Sequence, residues 1–319
     1  MVKTILVTGG AGYIGSVAVK TLLDRGFKII VVDNLSKGLR ELVDIRSQFY
    51  ELDLTDNNAL CRVFEENKID AVIHFAGYKR VDESMENAVK YSDNIVGGIN
   101  LLNQMVEHGV KKMIFSSTCA VYGMPETDVA DEKTPCKPIN FYGYSKLAFE
   151  EILVWYLKVH KISYISLRYF NVAGDGGLYY VDPDAMSVIP RIMAVAFGKQ
   201  EKLVIYGDDY DTRDGTGVRD YIDINDLVEA HIIALDVDYN GIINLGTANG
   251  VSVKEPIDHT EEVTGKKVLF EIGKRRKGDP ACVLASNMLA KKILGWEPKR
   301  DIKEMIRSTY DAYKKLYQK

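Results

Sequence analysis

The 319-residue chain is poor in cysteine: Cys61, Cys119, Cys136 and Cys282 are scattered, and no two form a C-x-x-C pair. That scarcity argues against a disulfide-stapled scaffold and points to reduced thiols in a cytoplasmic protein. No secretory leader is recognisable before the first strand-like segment, and no apolar run reaches membrane-spanning length. An excess of either charge is missing as well. Lys and Arg number 41 against 45 Asp and Glu, for a net charge of -4 and a pI near 5.8. This balance argues against a dedicated nucleic-acid binder, so neither a nucleic-acid nor a membrane partner is expected. Repeats of fixed period and low-complexity tracts are absent too. What remains is ordinary globular composition, 46% hydrophobic and 27% charged, which excludes a largely disordered chain. The length exceeds what one core usually organises, so two lobes or one large α/β domain are expected.

The first half alternates short apolar runs with helix-length stretches. Thr4–Thr8, Lys28–Val32, Ala71–Phe75, Lys112–Phe115 and Ser163–Leu167 are rich in β-branched or aromatic residues. Continuous apolar runs of this length suit strands covered on both faces of a parallel sheet. Gly15–Arg25, Asn57–Glu66, Glu83–His108 and Phe141–His160 read as the helices between them. Such alternation predicts a doubly wound sheet with right-handed crossovers. After Asn171 the texture changes: 173–184 and 207–217 are rich in Gly and Asp without amphipathic period, and read as functional loops. A second, smaller lobe is expected to start near residue 175. The segment 219–246 again looks like a helix and a strand that rejoin the main sheet.

Gly9-Gly10-Ala11-Gly12-Tyr13-Ile14-Gly15 follows the first strand and opens the first helix. Glycines there permit a tight turn, let the backbone approach a pyrophosphate, and allow close helix-strand packing. The helix start then offers unpaired N–H groups and the positive dipole end to phosphate. Asp33 ends the second strand, 18 residues beyond Gly15, where its carboxylate would accept hydrogen bonds from an adenosine ribose and repel a 2′-phosphate. NAD is therefore expected rather than NADP, with Lys37 and Arg40 as the nearby cations that pull the other way.

Tyr142 and Lys146 stand four apart near the start of a helix and share a face, whereas Tyr144 points away. A phenol of pKa about 10 becomes a usable base only if a neighbouring ammonium lowers it by roughly 1–3 units. Ser116-Ser117-Thr118 follows the strand at 112–115. Hydroxyls at the carboxyl end of a parallel strand sit where such sheets bind ligands.

The glycine loop, Asp33, Ser116-Ser117-Thr118, Tyr142-x-x-x-Lys146 and Arg168-Tyr169-Phe170-Asn171 together resemble the extended short-chain dehydrogenase/reductase family, and within it the UDP-glucose (UDP-galactose) 4-epimerases. Supporting runs are 8–16 (TGGAGYIGS), 74–77 (HFAG), Lys79, 214–222 (DGTGVRDYI) and 275–281 (RRKGDPA). The resemblance spans essentially the whole chain. It implies a Rossmann-type NAD-binding domain over 1–175, rejoined by about 219–246, and a smaller C-terminal α/β lobe over 176–319 for a nucleotide sugar. Gly9, Gly12, Tyr13, Ile14, Gly15, Asp33, Asn34, Asp53, Leu54, Phe75, Ala76, Gly77, Lys79, Asn94 and Phe170 would line the NAD pocket. Asp53 can also be read as a turn residue before Thr55-Asp56.

By the same resemblance Tyr142, Lys146 and Thr118 are catalytic, with threonine in place of the family's frequent serine. Asn171, Arg219, Arg276 and Asp279 would hold the uridine diphosphate, the arginines through bidentate geometry. No metal is expected. The implied reaction oxidises C4 to a 4-keto sugar, turns the sugar about its diphosphate link, and re-reduces it. A dehydratase of the same family would need Asp-Glu after the hydroxyl residue, where this chain has Cys119-Ala120. A catalytically silent NAD-sensing regulator would be expected to lose the Tyr-Lys pair. Val283 matches the family's sugar-pocket gate, with Cys282 the alternative if the alignment slips by one. Either is small, implying some activity on UDP-N-acetylglucosamine. A homodimer through the two long helices is implied as well.

Overall fold

The computed structural model describes residues 2–181, 187–276 and 279–317. The end of the expected loop at 182–184, and Lys277 and Gly278 of the 275–281 run, lie outside the described residues. In chain order the first elements are β1 (Thr4–Thr8), α1 (Tyr13–Asp24), β2 (Lys28–Asp33), β3 (Gln48–Glu51), α2 (Asn57–Glu66) and β4 (Ala71–His74). Next come α3 (Val81–Ser84), α4 (Ala88–Glu107), β5 (Lys112–Ser116), β6 (Val129–Ala130), α5 (Phe141–His160) and β7 (Ser163–Tyr169). They are followed by β8 (Asn171–Ala173), α6 (Val188–Ala196), β9 (Leu203–Tyr206), β10 (Val218–Asp223), α7 (Ile224–Ala234) and β11 (Gly241–Leu245). The last are β12 (Gly250–Ser252), α8 (Glu255–Thr264), β13 (Phe270–Gly273), β14 (Cys282–Ala285), α9 (Met288–Leu294) and α10 (Ile302–Tyr317).

The chain forms two compact units. The first comprises residues up to Gly123, Pro135–Arg168 and Val228–Ile243. Its seven-stranded sheet runs β11-β7-β5-β4-β1-β2-β3, parallel from β7 to β3. This is the doubly wound α/β arrangement that the alternating pattern predicts. Ile5, Leu6 and Val7 of β1 and Val72 and Ile73 of β4 are fully buried, because helices cover both faces. On one face Leu60, Val63 and Phe64 of α2, Leu101 and Met105 of α4, and Phe149 and Leu153 of α5 share one apolar cluster with the strands.

Two local readings are corrected. Glu83–His108 is not one helix: it divides into α3 and α4, and the Asn87 side chain accepts the Lys90 N–H at 3.1 Å, capping the start of α4. The edge strand β3 has no counterpart among the expected strands. Its residues Gln48-Phe49-Tyr50-Glu51 are part-exposed, so they lack the continuous apolar run of a strand covered on both faces.

The second unit comprises Met124–Thr134, Tyr169–Leu227 and the chain from Asn244 onward. It holds a five-stranded sheet in the order β12-β10-β14-β6 with β8 beside β10, and the pair β13-β9. Ile189, Met193, Tyr221, Met305, Ile306 and Tyr313 form one of its cores. The segment 207–217 is a loop between β9 and β10, as its composition suggests.

Candidate active site

In the first unit, the turn from β1 to α1 is shaped by what glycine permits. Gly9 adopts φ +71°, and a Cβ on it would stand 2.6 Å from the Ala76 nitrogen. A Cβ on Gly15 would stand 2.1 Å from the Gly9 carbonyl oxygen, so the first turn of α1 can close on the loop only as glycine. Gly12 caps α1 with no side-chain bond, and no acidic residue stands in the first turn, where Tyr13 and Ile14 lie. A helix start with no acidic side chain offers the positive end of its dipole to an anion.

Asp33, at the end of β2, accepts Ala11 N–H at 3.0 Å and Leu35 N–H at 2.9 Å. Burial pushes its carboxyl up against the opposing pull of these two bonds. It therefore ties the glycine loop to the strand end. Asn34 donates to Asp53 at 2.7 Å, and Asp53 also accepts the Thr55 N–H and hydroxyl at 2.8 and 2.6 Å. Burial pulls Asp53 upward, but the Thr55 and Asn34 bonds outweigh it and hold the carboxyl below its usual range. The turn reading of Asp53 thus describes its bonds, and Asn34 brings it beside the end of β2.

Leu54 packs its Cβ 2.8 Å from where a Cβ on Gly97 would stand. Past β4, Phe75 meets the His231 ring at 4.8 Å. Gly77 has φ +154°, and Asn94 brackets the turn, accepting Tyr78 N–H at 2.8 Å and donating to Tyr78 O at 3.0 Å. Lys79 lies 6.0 Å from the centre of the Tyr13 ring. Phe170 belongs to the second unit, where it is buried.

The hydroxyl tract and α5 meet closely. Thr118, buried, accepts Ala120 N–H at 3.2 Å, and its own hydroxyl proton has no acceptor among the described residues. Asn140 caps α5 through Gly143 N–H at 2.8 Å and so sets where Tyr142 and Lys146 begin the helix. Tyr142 is partly buried, one turn before Lys146, while Tyr144 is exposed. Lys146 is buried, donates to the Ser116 carbonyl at 3.0 Å, and lies 4.8 Å from the centre of the Phe115 ring. Its ammonium is 3.5 Å from where a Cβ on Gly77 would stand, so it reaches the turn after β4. Burial pushes its pKa down to about 8, with Glu150 acting in the opposite sense. His74, bonded to the Thr8 hydroxyl at 2.7 Å, is pushed down to about 3 by burial and by Lys146, and stays neutral.

Glu150 and Arg168 were not singled out as site residues in the sequence, although Arg168 opens the 168–171 run. The available signal was the spacing: Glu150 lies four residues beyond Lys146, on the same helix face.

In the second unit, Arg219 on β10 is in register with Val283 on β14. Its guanidinium donates to Val218 O at 2.8 Å and lies 3.8 Å from Asp279. Arg276 is exposed and stacks on the Tyr206 ring at 3.9 Å. The Arg276 guanidinium outweighs burial and holds the Tyr206 phenol below its usual range, with Arg191 adding to the effect. Tyr206 and Arg191 escaped sequence reasoning because the fold, not spacing, gathers them. Asn171 donates to Asp220 O at 3.0 Å, where β8 pairs with β10. Val283 is buried and Cys282 half-buried on successive positions of β14, hence on opposite faces. Among the described residues no group of acidic, His and Cys side chains could hold a metal, and no helix is long and apolar enough to cross a membrane.

A glycine turn at a helix start, an acid closing the second strand and a buried Tyr-Lys turn beside a hydroxyl tract define an NAD-dependent enzyme of the short-chain dehydrogenase type. The chain belongs to the NAD dependent epimerase/dehydratase family, whose model matches residues 5–246. Within that family its relatives are UDP-glucose 4-epimerases. The Lacticaseibacillus casei UDP-glucose 4-epimerase is 45% identical over 306 residues, 93% of this chain and 92% of the relative. The Bifidobacterium longum UDP-glucose 4-epimerase, solved with NAD+ and UDP, superposes with a TM-score of 0.91 at 38% identity, covering 99% of each chain. The Campylobacter jejuni UDP-Glc/GlcNAc 4-epimerase gives 0.87 at 39% identity, covering 98% of this chain and 99% of that one.

Proposed function

We infer that this chain interconverts UDP-galactose and UDP-glucose with NAD as a resident cofactor. The observation that carries the reading lies on α5. Tyr142 stands one turn before a buried Lys146 whose ammonium is bonded to Ser116, two residues from Thr118. The residues around the β1–α1 turn fit NAD, and the chemistry that bound NAD supplies is reversible hydride exchange at the sugar C4. Tyr142 removes the proton from the C4 hydroxyl, and Thr118 relays it as both donor and acceptor. The Lys146 ammonium favours the Tyr142 phenolate as long as it keeps its own proton. Lys79, Asn34, Asp53 and Asn94 complete the cofactor contacts of the first unit. In the second unit Arg219 and Arg276 bind the diphosphate, with Asn171 and Asp279 orienting the nucleotide. A small gate residue, Val283 or alternatively Cys282, leaves room for a 2-acetamido group, and the likeness to the Campylobacter jejuni UDP-Glc/GlcNAc 4-epimerase supports activity on both sugar classes.

The reading extends to assembly and location. Val89 and Val96 on α4 and Trp155 and Val159 on α5 are exposed apolar residues on two helices packed against each other. They support a homodimer through this pair. All four cysteines are free thiols, which supports a cytoplasmic location.

Tyr142→Phe is the test. It should lower turnover of UDP-galactose by about three orders of magnitude or more while NAD stays bound. Turnover within tenfold of wild type would sink the base assignment.

A further inference from the structure

Behind Lys146 lies a buried ion pair that the proposed reaction does not use. Glu150 and Arg168 are each 2% exposed. The Arg168 Nε donates to both Glu150 carboxylate oxygens, at 3.0 and 3.2 Å, and its guanidinium stacks 4.9 Å from the Tyr122 ring centre. Glu150 also accepts the Ser117 hydroxyl at 2.5 Å. One turn earlier on the same face of α5, Lys146 holds the carbonyl of the preceding residue, Ser116. Two α5 side chains one turn apart thus grip two consecutive residues of the tract that ends in Thr118. A charge pair so deeply buried is seldom the most stable filling for a core, and apolar residues of equal volume often serve better. Its presence calls for another role.

We propose that Glu150 is a positioning residue for the epimerase reaction: its carboxylate, oriented by Arg168 one helical turn beyond Lys146, keeps that ammonium charged and holds Ser117 so that Thr118 stays aligned with Tyr142. This rests on the roles given to Tyr142 and Lys146 above. Around the ammonium, β4 contributes neutral His74, β5 the Ser116 carbonyl and Phe115 ring, and α5 Glu150. Around the carboxylate, β7 contributes Arg168 and Tyr164, and burial raises the phenol of Tyr164 with Glu150 adding to it. The Cys136 thiol near the pair is likewise pushed up by burial. Among these neighbours Glu150 is the group that opposes the effect of burial on Lys146.

The experiment is the pH profile of kcat for UDP-galactose on the purified, NAD-loaded enzyme, with Glu150→Gln, Glu150→Asp and Tyr142→Phe beside wild type. In wild type the alkaline limb should fall near pH 8, where Lys146 loses its proton. Glu150→Gln removes the charge and keeps the shape, and should move that limb down by about one pH unit. Activity relative to wild type should then fall by about eightfold at pH 8.5 and hardly at all at pH 6.5. Glu150→Asp keeps the charge and should leave the limb in place, at a lower kcat throughout. A Glu150→Gln profile that superimposes on wild type, or an Asp variant shifted as far as the Gln variant, overturns the proposal. Should Glu150→Gln fail to fold with Arg168 left unpaired, the double variant Glu150→Gln/Arg168→Met removes both charges. It should shift the limb in the same direction, and an unmoved limb there overturns the proposal equally. Tyr142→Phe separates the two claims: if it is inactive while Glu150→Gln titrates like wild type, only the role of Glu150 falls. An active Tyr142→Phe removes the catalytic reading beneath it.

Discussion

Lys146 is the buried cation on which the proposed chemistry turns, and replacing it tests the energetics of that burial. Its residue is 6% exposed, and burial holds its pKa at about 8 against 10.5 for a solvated lysine, Glu150 opposing the shift. A difference of about 2.5 units amounts to about 3 kcal/mol, which the folded state bears while Lys146 is charged. The folded pKa lies below the unfolded one, so between about pH 8 and 10.5 the unfolded chain binds more protons. Stability must therefore rise with pH across that window from this residue, with the whole cost present below it and none above it. Lys146→Met keeps a chain of similar length without the charge. It also deprives the buried Ser116 carbonyl of its donor, a loss of about 1–2 kcal/mol. Lys146→Met should then be more stable than wild type by about 1–2 kcal/mol at pH 7, and less stable by a similar amount above pH 10, while losing turnover. Urea unfolding of both proteins at pH 7, 8.5 and 10 measures this, after NAD is removed from each, because a ligand bound only to the folded state adds its own stabilisation. A variant less stable than wild type at pH 7, or a difference that does not change with pH, refutes the reasoning.

Three further outcomes are expected. Gly15→Ala places a Cβ against the Gly9 carbonyl, backbone that cannot move aside cheaply. It should cost about 1–3 kcal/mol and release NAD on gel filtration, and full cofactor retention would contradict the phosphate role of the turn. The wild-type protein should scatter light as twice 35.8 kDa, and Trp155→Glu should bring the mass down to one chain with the fold intact by circular dichroism. A wild-type mass of one chain would count against the dimer. UDP-N-acetylglucosamine should turn over detectably, and none alongside brisk UDP-galactose turnover would show that Val283 and Cys282 do not set the width of the sugar site.

Much of the first unit was legible because its signals are local. A glycine turn after an apolar run, an acid 18 residues on and a Tyr-x-x-x-Lys turn need only neighbouring residues to be recognised. The division of 83–108 was less legible because the break rests on one capping asparagine, with no Gly or Pro to mark it. β3 was missed because a part-exposed edge strand need not carry the pattern of a buried one. In the second unit, single arginines carry no pattern that separates a ligand contact from a solvated surface. Arg219 gains meaning beside Asp279 and Val283, and Arg276 beside Tyr206.

From its residues alone, then, the chain determined a doubly wound α/β domain, an NAD preference and a Tyr-x-x-x-Lys turn at a helix start, since each is written in short stretches of the chain. Only tertiary structure decided the state of Lys146. Its ordinary lysine becomes a cation with a pKa of about 8 because β4, β5 and α5 close around it and exclude water. The same closure brings Glu150 and Arg168, 18 residues apart in sequence, into a pair that no spacing announces. Desolvation and charge pairing depend on what surrounds a group in space, and that is settled only when the sheet and its helices have packed.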